Sequence, residues 1–281
     1  MKYPTILLAC LCFGALPADA AETKKSSGPE VRSASALVVD GNNGEVIFER
    51  DAGHVAPIAS ITKLMTALVV IDGQQPLDEI VEITADDRWK GKGAHSRLPI
   101  GARIKRADLL RLALMASENR AAHTLGRAYP GGSAAFVRTM NIKAKALGMS
   151  RTRFADASGL SNLNVSNARD LAKLVGAVSR DSRIREFSTL PSLEVRINKR
   201  STLVYRNTNL LIGKPDWDIV VQKTGYTNDA GQCLVMETML DGRPVVMVLM
   251  NSFGSLTRTA DARRIRKSMK AQAVPQLAGT K

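Results

Sequence analysis

A chain of 281 residues, 44% apolar and 23% charged, is long enough to bury a sizeable core and is neither a disordered tail nor a peptide-sized scaffold. Its formal net charge of +14 favours an anionic neighbour, but with only 4% aromatic residues and no recognisable nucleic-acid module, nucleic acid is not expected as a partner. His54, His95 and His123 form neither an H-E-x-x-H pattern nor a Cys/His cluster, so no metal and no cofactor is expected.

Lys2, the apolar run from Ile6 to Leu16 and the closing Ala18-Asp19-Ala20 are the three parts of a secretory signal peptide over residues 1–20. The apolar run is too short to span a bilayer, which takes about 20 residues. A lipidation reading of Leu7–Cys10 is disfavoured by the short stretch before the cysteine. Cleavage removes Lys2 and Asp19, which cancel, so the charge of +14 is retained. It also leaves Cys233 as the last cysteine, so the mature chain has to stand on its core rather than on a disulfide. The favoured reading of Cys233 is a buried, inert thiol.

Residues 21–33 are polar and aperiodic and read as a flexible lead-in. Ala34–Val39 and Glu45–Phe48 flank Asp40-Gly41-Asn42-Asn43-Gly44, the pattern of a β-hairpin. Ile61–Ile71 is helical in period, with Leu64, Leu68 and Ile71 on one face. Helical periodicity returns in Arg106–Ala116, Ala121–Tyr129, Ser133–Leu147 and Ala168–Ser179. Strand-like runs then follow at Thr202–Tyr205, Ile219–Val221, Cys233–Met236 and Val245–Leu249, before a closing helix over 257–271. This order predicts an α/β (α+β) fold: an antiparallel sheet formed from both chain ends, with flanking helices and an inserted helical lobe. A single two-lobed domain over 34–272 and a tail over 273–281 are expected.

Three short motifs carry the chemistry. Ser60 and Lys63 lie three residues apart at a helix start, which puts both side chains on one face. A serine hydroxyl needs an adjacent base, and Lys63 serves only if burial or a second cation, for which Lys223 is placed, keeps it neutral. Ser117 and Asn119 occupy a break between helices; Ser117 can pass a proton and Asn119 can orient Lys63 or a substrate carbonyl. Lys223-Thr224-Gly225 follows a β-rich run, where Gly225 leaves room for a substrate along the strand. The backbone N–H groups of Ser60 and Tyr226 are candidate oxyanion donors. Each motif alone is weak, and the bland reading of Ser60 is a helix N-cap; their order and their helix-start, loop and strand contexts carry the catalytic reading.

Ile58–Ala67, Leu114–Asn119, Ser158-Gly159-Leu160 with Ala168–Ala172, and Lys223–Thr227 resemble the low-molecular-weight penicillin-binding proteins, serine-type D-Ala-D-Ala peptidases. The likeness spans roughly residues 33–270. It implies a serine peptidase/β-lactamase-like fold, with Ser60 as acylated nucleophile, Lys63 as base, and Ser117 and Asn119 as relay and orienting pair. It further implies Lys223, Thr224, Gly225 and Tyr226 as the substrate-binding strand, and Arg206 as a cation for a substrate carboxylate. The compact build with Ser117-Glu118-Asn119-Arg120-Ala121-Ala122 is most similar to D-alanyl-D-alanine endopeptidases of the penicillin-binding protein 7 type.

That resemblance implies a periplasmic enzyme that opens D-Ala–diaminopimelate cross-links in peptidoglycan and is acylated by β-lactam antibiotics. Its partners would be stem peptides and cross-links, with loose association to an anionic membrane or wall. The alternative is a D-Ala-D-Ala carboxypeptidase trimming pentapeptide stems; a non-catalytic wall-binding protein is a distant third. A β-lactamase is disfavoured because Glu186 and Glu194 lack the context of a deacylating glutamate.

Overall fold

A computed structural model describes residues 28–91, 95–198 and 200–273. The expected signal peptide, most of the lead-in and nearly all of the tail lie outside the described residues. In chain order the elements begin with β1 (Ser33–Asp40), β2 (Val46–Arg50), β3 (Ala56–Pro57) and α1 (Thr62–Asp72). Next come β4 (Ile80–Glu82), β5 (Arg103–Lys105), α2 (Arg106–Met115), α3 (Asn119–Arg127) and α4 (Gly132–Ala146). After these follow β6 (Val165–Ser166), α5 (Ala168–Val178), α6 (Ser182–Thr189), β7 (Ser192–Arg196) and β8 (Thr202–Arg206). The chain closes with β9 (Asp218–Thr227), β10 (Gly231–Leu240), β11 (Arg243–Ser252) and α7 (Thr257–Ala273).

The main sheet is antiparallel in the order β2-β1-β11-β10-β9, so both chain ends build it, as expected. Because successive side chains in a strand point to opposite faces, each strand serves two cores. Leu37 and Val39 of β1, Val235 of β10 and Val246, Val248 and Met250 of β11 join the large core shared with the helices. Ala36 and Val38, Leu234 and Met236, and Val245, Met247 and Leu249 face a second core under α7, with Ala262 and Ile265. Burial on both faces is why Val245–Leu249 is an unbroken apolar run rather than an alternating one.

Three expectations need correction. Helix α1 has no single buried face: every residue from Thr62 to Ile71 is buried, as for a helix enclosed on all sides. The strand at Thr202–Arg206 does not join the main sheet but forms a separate hairpin with β7. The lead-in is fixed before residue 33: Val31 is buried, and the N–H groups of Arg32 and Ser33 donate to Asp261 of α7 at 2.7–3.0 Å. Helix α6, which had no prediction, is capped by Asp181, whose carboxylate accepts from the N–H groups of Arg183 and Ile184.

Candidate active site

Ser60 sits in a single 3-10 turn, Ala59–Ile61, that runs directly into α1. Ala59 has φ +46, a left-handed conformation that costs a residue with a Cβ. Two glycines clamp this turn from opposite segments. A Cβ on Gly159, itself at φ +83, would stand 1.8 Å from the Ala59 carbonyl oxygen. A Cβ on Gly225 of β9 would stand 3.0 Å from the Ile58 carbonyl oxygen and 3.2 Å from the Ser60 nitrogen. Gly225 is therefore required by the close approach of the Ile58–Ser60 backbone, whatever else lies along the strand.

Lys63, one helical turn after Ser60, is wholly buried. Its Nζ lies 2.7 Å from Ser60 Oγ, 2.8 Å from Asn119 Oδ1 and 2.7 Å from the Ser158 carbonyl oxygen. Burial pushes the Lys63 amine down to about 7, against the opposing pull of the Asp156 and Glu118 carboxylates. A large neutral fraction at neutral pH, already in contact with the serine hydroxyl, is the state a general base requires. Lys223 is also wholly buried and donates to the Thr224 carbonyl at 2.8 Å. Burial, then the charges of Lys63 and Arg258, hold Lys223 well below the ordinary lysine range. Burial lowers both amines, and the repulsion between them disfavours charging both at once.

Ser117 stands in the break between α2 and α3 at φ +58 and is half-buried. Asn119 opens α3, where Glu118 is the N-cap and accepts from the Arg120 N–H. Asn119 reaches Lys63, whereas the three contacts of Lys63 Nζ do not include Ser117. Thr224 does not face open space: it is buried, and its hydroxyl lies 2.6 Å from Thr208 Oγ1. The backbone of Thr208 in turn donates to the Met115 carbonyl at 3.0 Å, joining the third motif to the end of α2.

β9 is an edge strand, but it is covered from Val221 to Gly225, and exposure begins at Tyr226. The cleft in front of Ser60 has a volume of about 350 Å³ and is lined by Ser60, Asn119, Leu160 and Tyr226–Asp229. Tyr226 donates its hydroxyl to Asn228 at 3.0 Å. Arg206 stands exposed at the end of β8 and is not among the residues lining this cleft. Its neighbour Asn207 is structural, donating to the carbonyls of Ser188 and Leu190. The guanidinium that does approach the strand is that of Arg258, donating to the carbonyls of Gly225 and Cys233 at 2.7 and 3.1 Å.

A larger cavity, about 580 Å³, is lined by His123, Phe136 and Asp156 among others and contains no residue of the three motifs. No group of metal-ligating side chains occurs among the described residues. Cys233 is buried, and burial pushes its thiol up to about 11, the inert state expected of it. The contacts of Ser158, Thr208, Asn228, Asp229 and Arg258 had no assigned role in the sequence. Only Ser158-Gly159-Leu160 stood out there, as part of the resemblance.

Residues 22–254 match the family model described as D-alanyl-D-alanine carboxypeptidase. The chain is 48% identical over 239 residues to the D-alanyl-D-alanine endopeptidase of Pseudomonas aeruginosa, a match covering 85% of this chain and 77% of that one. To the D-alanyl-D-alanine endopeptidase of Escherichia coli it is 47% identical over 250 residues, 89% of this chain and 81% of that one. Among solved structures, the Streptomyces K15 DD-transpeptidase shares the fold at a TM-score of 0.80, 24% identity, and coverage of 87% of this chain and 99% of that one. Penicillin-binding protein D2 of Listeria monocytogenes in its ampicillin-bound form aligns at a TM-score of 0.74 and 30% identity, covering 85% of this chain and 98% of that one.

Proposed function

The chain belongs to the D-alanyl-D-alanine carboxypeptidase family and is a serine DD-peptidase, and we propose that it opens D-Ala–diaminopimelate cross-links of peptidoglycan through an acyl-enzyme on Ser60. The observation that carries this reading is the 2.7 Å contact between Ser60 Oγ and a Lys63 amine brought down to about 7.

Neutral Lys63 takes the Ser60 proton as Oγ attacks the D-Ala carbonyl. The developing oxyanion meets the N–H groups of Ser60 and Tyr226. Ser117, beside Asn119, carries the proton on to the leaving amine of the second stem peptide, and water then hydrolyses the ester. Asn119 holds Lys63 in place, as its 2.8 Å contact supports. Lys223, Thr224 and Gly225 shape the strand end at which the peptide lies, Tyr226 flanks it, and Arg206, outside the lining of the cleft, is the cation for a substrate carboxylate. The strand-rich chain ends and the helical insertion form the two walls of one domain over 34–272.

The endopeptidase reading draws on the two relatives at 47–48% identity, both named as endopeptidases. A β-lactam mimics the scissile D-Ala-D-Ala bond and is expected to acylate Ser60; the ampicillin-bound Listeria structure supports this. The substrate lies outside the cytoplasmic membrane, and the leader sequence at residues 1–20 supports a periplasmic location. No described helix is long and apolar enough to cross a membrane. The net charge of +14 suits loose association with an anionic wall or membrane.

Two substrates test the proposal: cross-linked muropeptide dimers and monomeric pentapeptides. Conversion of dimers to monomers is the expected result. Shortening of the pentapeptide alone would make the enzyme a carboxypeptidase, and cleavage of neither would leave a wall-binding protein.

A further inference from the structure

Lys63 is held by three oxygens, and one of them, the Ser158 carbonyl, belongs to a turn with an organisation of its own. Residues 156–161 fold around the Asp156 carboxylate. Asp156 Oδ1 accepts from the Ser158 N–H at 2.6 Å, the Ser158 hydroxyl at 2.8 Å and the Gly159 N–H at 2.7 Å. Its Oδ2 accepts from the Ser161 N–H at 2.8 Å and from Asn164 Nδ2 at 2.7 Å. The Ser158 hydroxyl, having given its proton to Asp156, accepts from Nε2 of His123 at 2.8 Å. The same turn presses Gly159 onto the carbonyl of Ala59, so it touches the nucleophile's turn and the base at once.

We infer that Asp156 is a positioning residue for Lys63, acting through the Ser158 carbonyl, which it holds at the distance that keeps the Lys63 amine on Ser60. The inference rests on the acyl-enzyme reading given above. Both carboxylate oxygens face donors only, so an amide at this position would turn an NH2 group toward other N–H groups whichever way it is placed. Burial opposes the charge of Asp156, and hydrogen bonds from Ser161, Ser158 and Gly159 outweigh it, keeping the carboxyl below its ordinary range. Asp156 and Glu118 are the carboxylates whose charge raises Lys63. Among the described residues, the other charged or titratable groups facing this site are Lys223 from β9, His123 from α3, and Asp86 and Arg138, which line the cavity beside Asp156.

The test is the rate of acylation by a labelled penicillin, measured from pH 5 to 10 as a profile for the mature enzyme and two variants, with melting temperatures alongside. Asp156→Asn is expected to slow acylation at the plateau by about 10- to 100-fold, the scale of a base displaced by an ångström or less. With the negative charge gone, the midpoint of its profile moves to lower pH. Asp156→Glu, which keeps the charge, is expected to stay within about threefold of wild type with its midpoint unmoved. An alkaline shift in either variant would mean that the turn had merely opened and hydrated Lys63, which overturns the positioning role. Wild-type rates in Asp156→Asn, or a Glu variant as slow as the Asn one, overturn it as well. If the wild-type enzyme takes no penicillin at all, the acyl-enzyme reading fails and this role fails with it; in the other outcomes that reading stands.

Discussion

Gly225 and Ser60 meet backbone to backbone: a single added methyl group on the glycine would lie 3.2 Å from the serine nitrogen. It would also lie 3.0 Å from the Ile58 carbonyl oxygen, and neither atom is the end of a side chain that can swing away. Gly225→Ala should therefore displace the Ser60 turn. The expected result is loss of at least about 10-fold in acylation rate, with a stability cost of about 1–3 kcal/mol from overpacking. Penicillin labelling and a denaturant melt read the two effects separately; a variant with wild-type labelling would show that the turn yields freely.

The acylation rate should rise with pH through a midpoint near 7. The sign follows from chemistry: protonated Lys63 has no lone pair for the Ser60 proton, so activity is lost as the pH falls below that midpoint. Lys63→Arg keeps a cation but cannot become neutral, and should be slower by about 100-fold or more across the range. A flat profile for the wild type, or a near-normal rate for the arginine variant, would remove Lys63 as the base.

Thr208→Val removes the hydroxyl that meets Thr224 Oγ1 at 2.6 Å and leaves a buried threonine oxygen without that partner. A loss of about 1–3 kcal/mol in unfolding free energy is expected. Because the Thr208 backbone bond to Met115 survives the change, acylation should fall only a few-fold. A variant as stable as wild type would show that Thr224 finds another partner.

Cys233 should resist thiol reagents at pH 8 in the native enzyme, since burial pushes its thiol up to about 11. Stoichiometric labelling is expected only on unfolding. Rapid labelling of the folded enzyme would place the thiol at the surface, contrary to its position in the large core.

The parts of the site that the sequence made legible are those fixed by spacing along the chain. Ser60 and Lys63 are one helical turn apart, and a hydroxyl beside an amine at that interval is a local pattern. The strand context of Lys223-Thr224-Gly225 is equally local. What stayed illegible depends on backbone atoms or on long separations. The Ser158 carbonyl has no residue-type signal, because every residue has one. Arg258 reaches Gly225 from a helix 33 residues further along, and no spacing rule links them. Arg206, named for its neighbourhood, lies on a hairpin whose pairing with Ser192–Arg196 could not be read from a weakly apolar run. The all-round burial of α1 was hidden for a related reason. Lys63 and Thr66 look polar in sequence, but their polar atoms are satisfied inside the core.

The partly covered edge of β9 also bears on self-association. An open sheet edge invites pairing with another copy of the same chain, and such pairing needs a run of several unpaired backbone groups to persist. Here the middle of the strand, Val221 to Gly225, is buried, and beside Ser60 the strand surfaces from Tyr226 onward. So short an exposed stretch gives a second sheet little to pair with at this end of the strand. It is enough to align one extended peptide, provided that a covalent bond to Ser60 secures what the hydrogen bonds cannot. The limit applies to the edge beside Ser60; at the opposite edge of the sheet β2 is exposed or half-buried along its whole length.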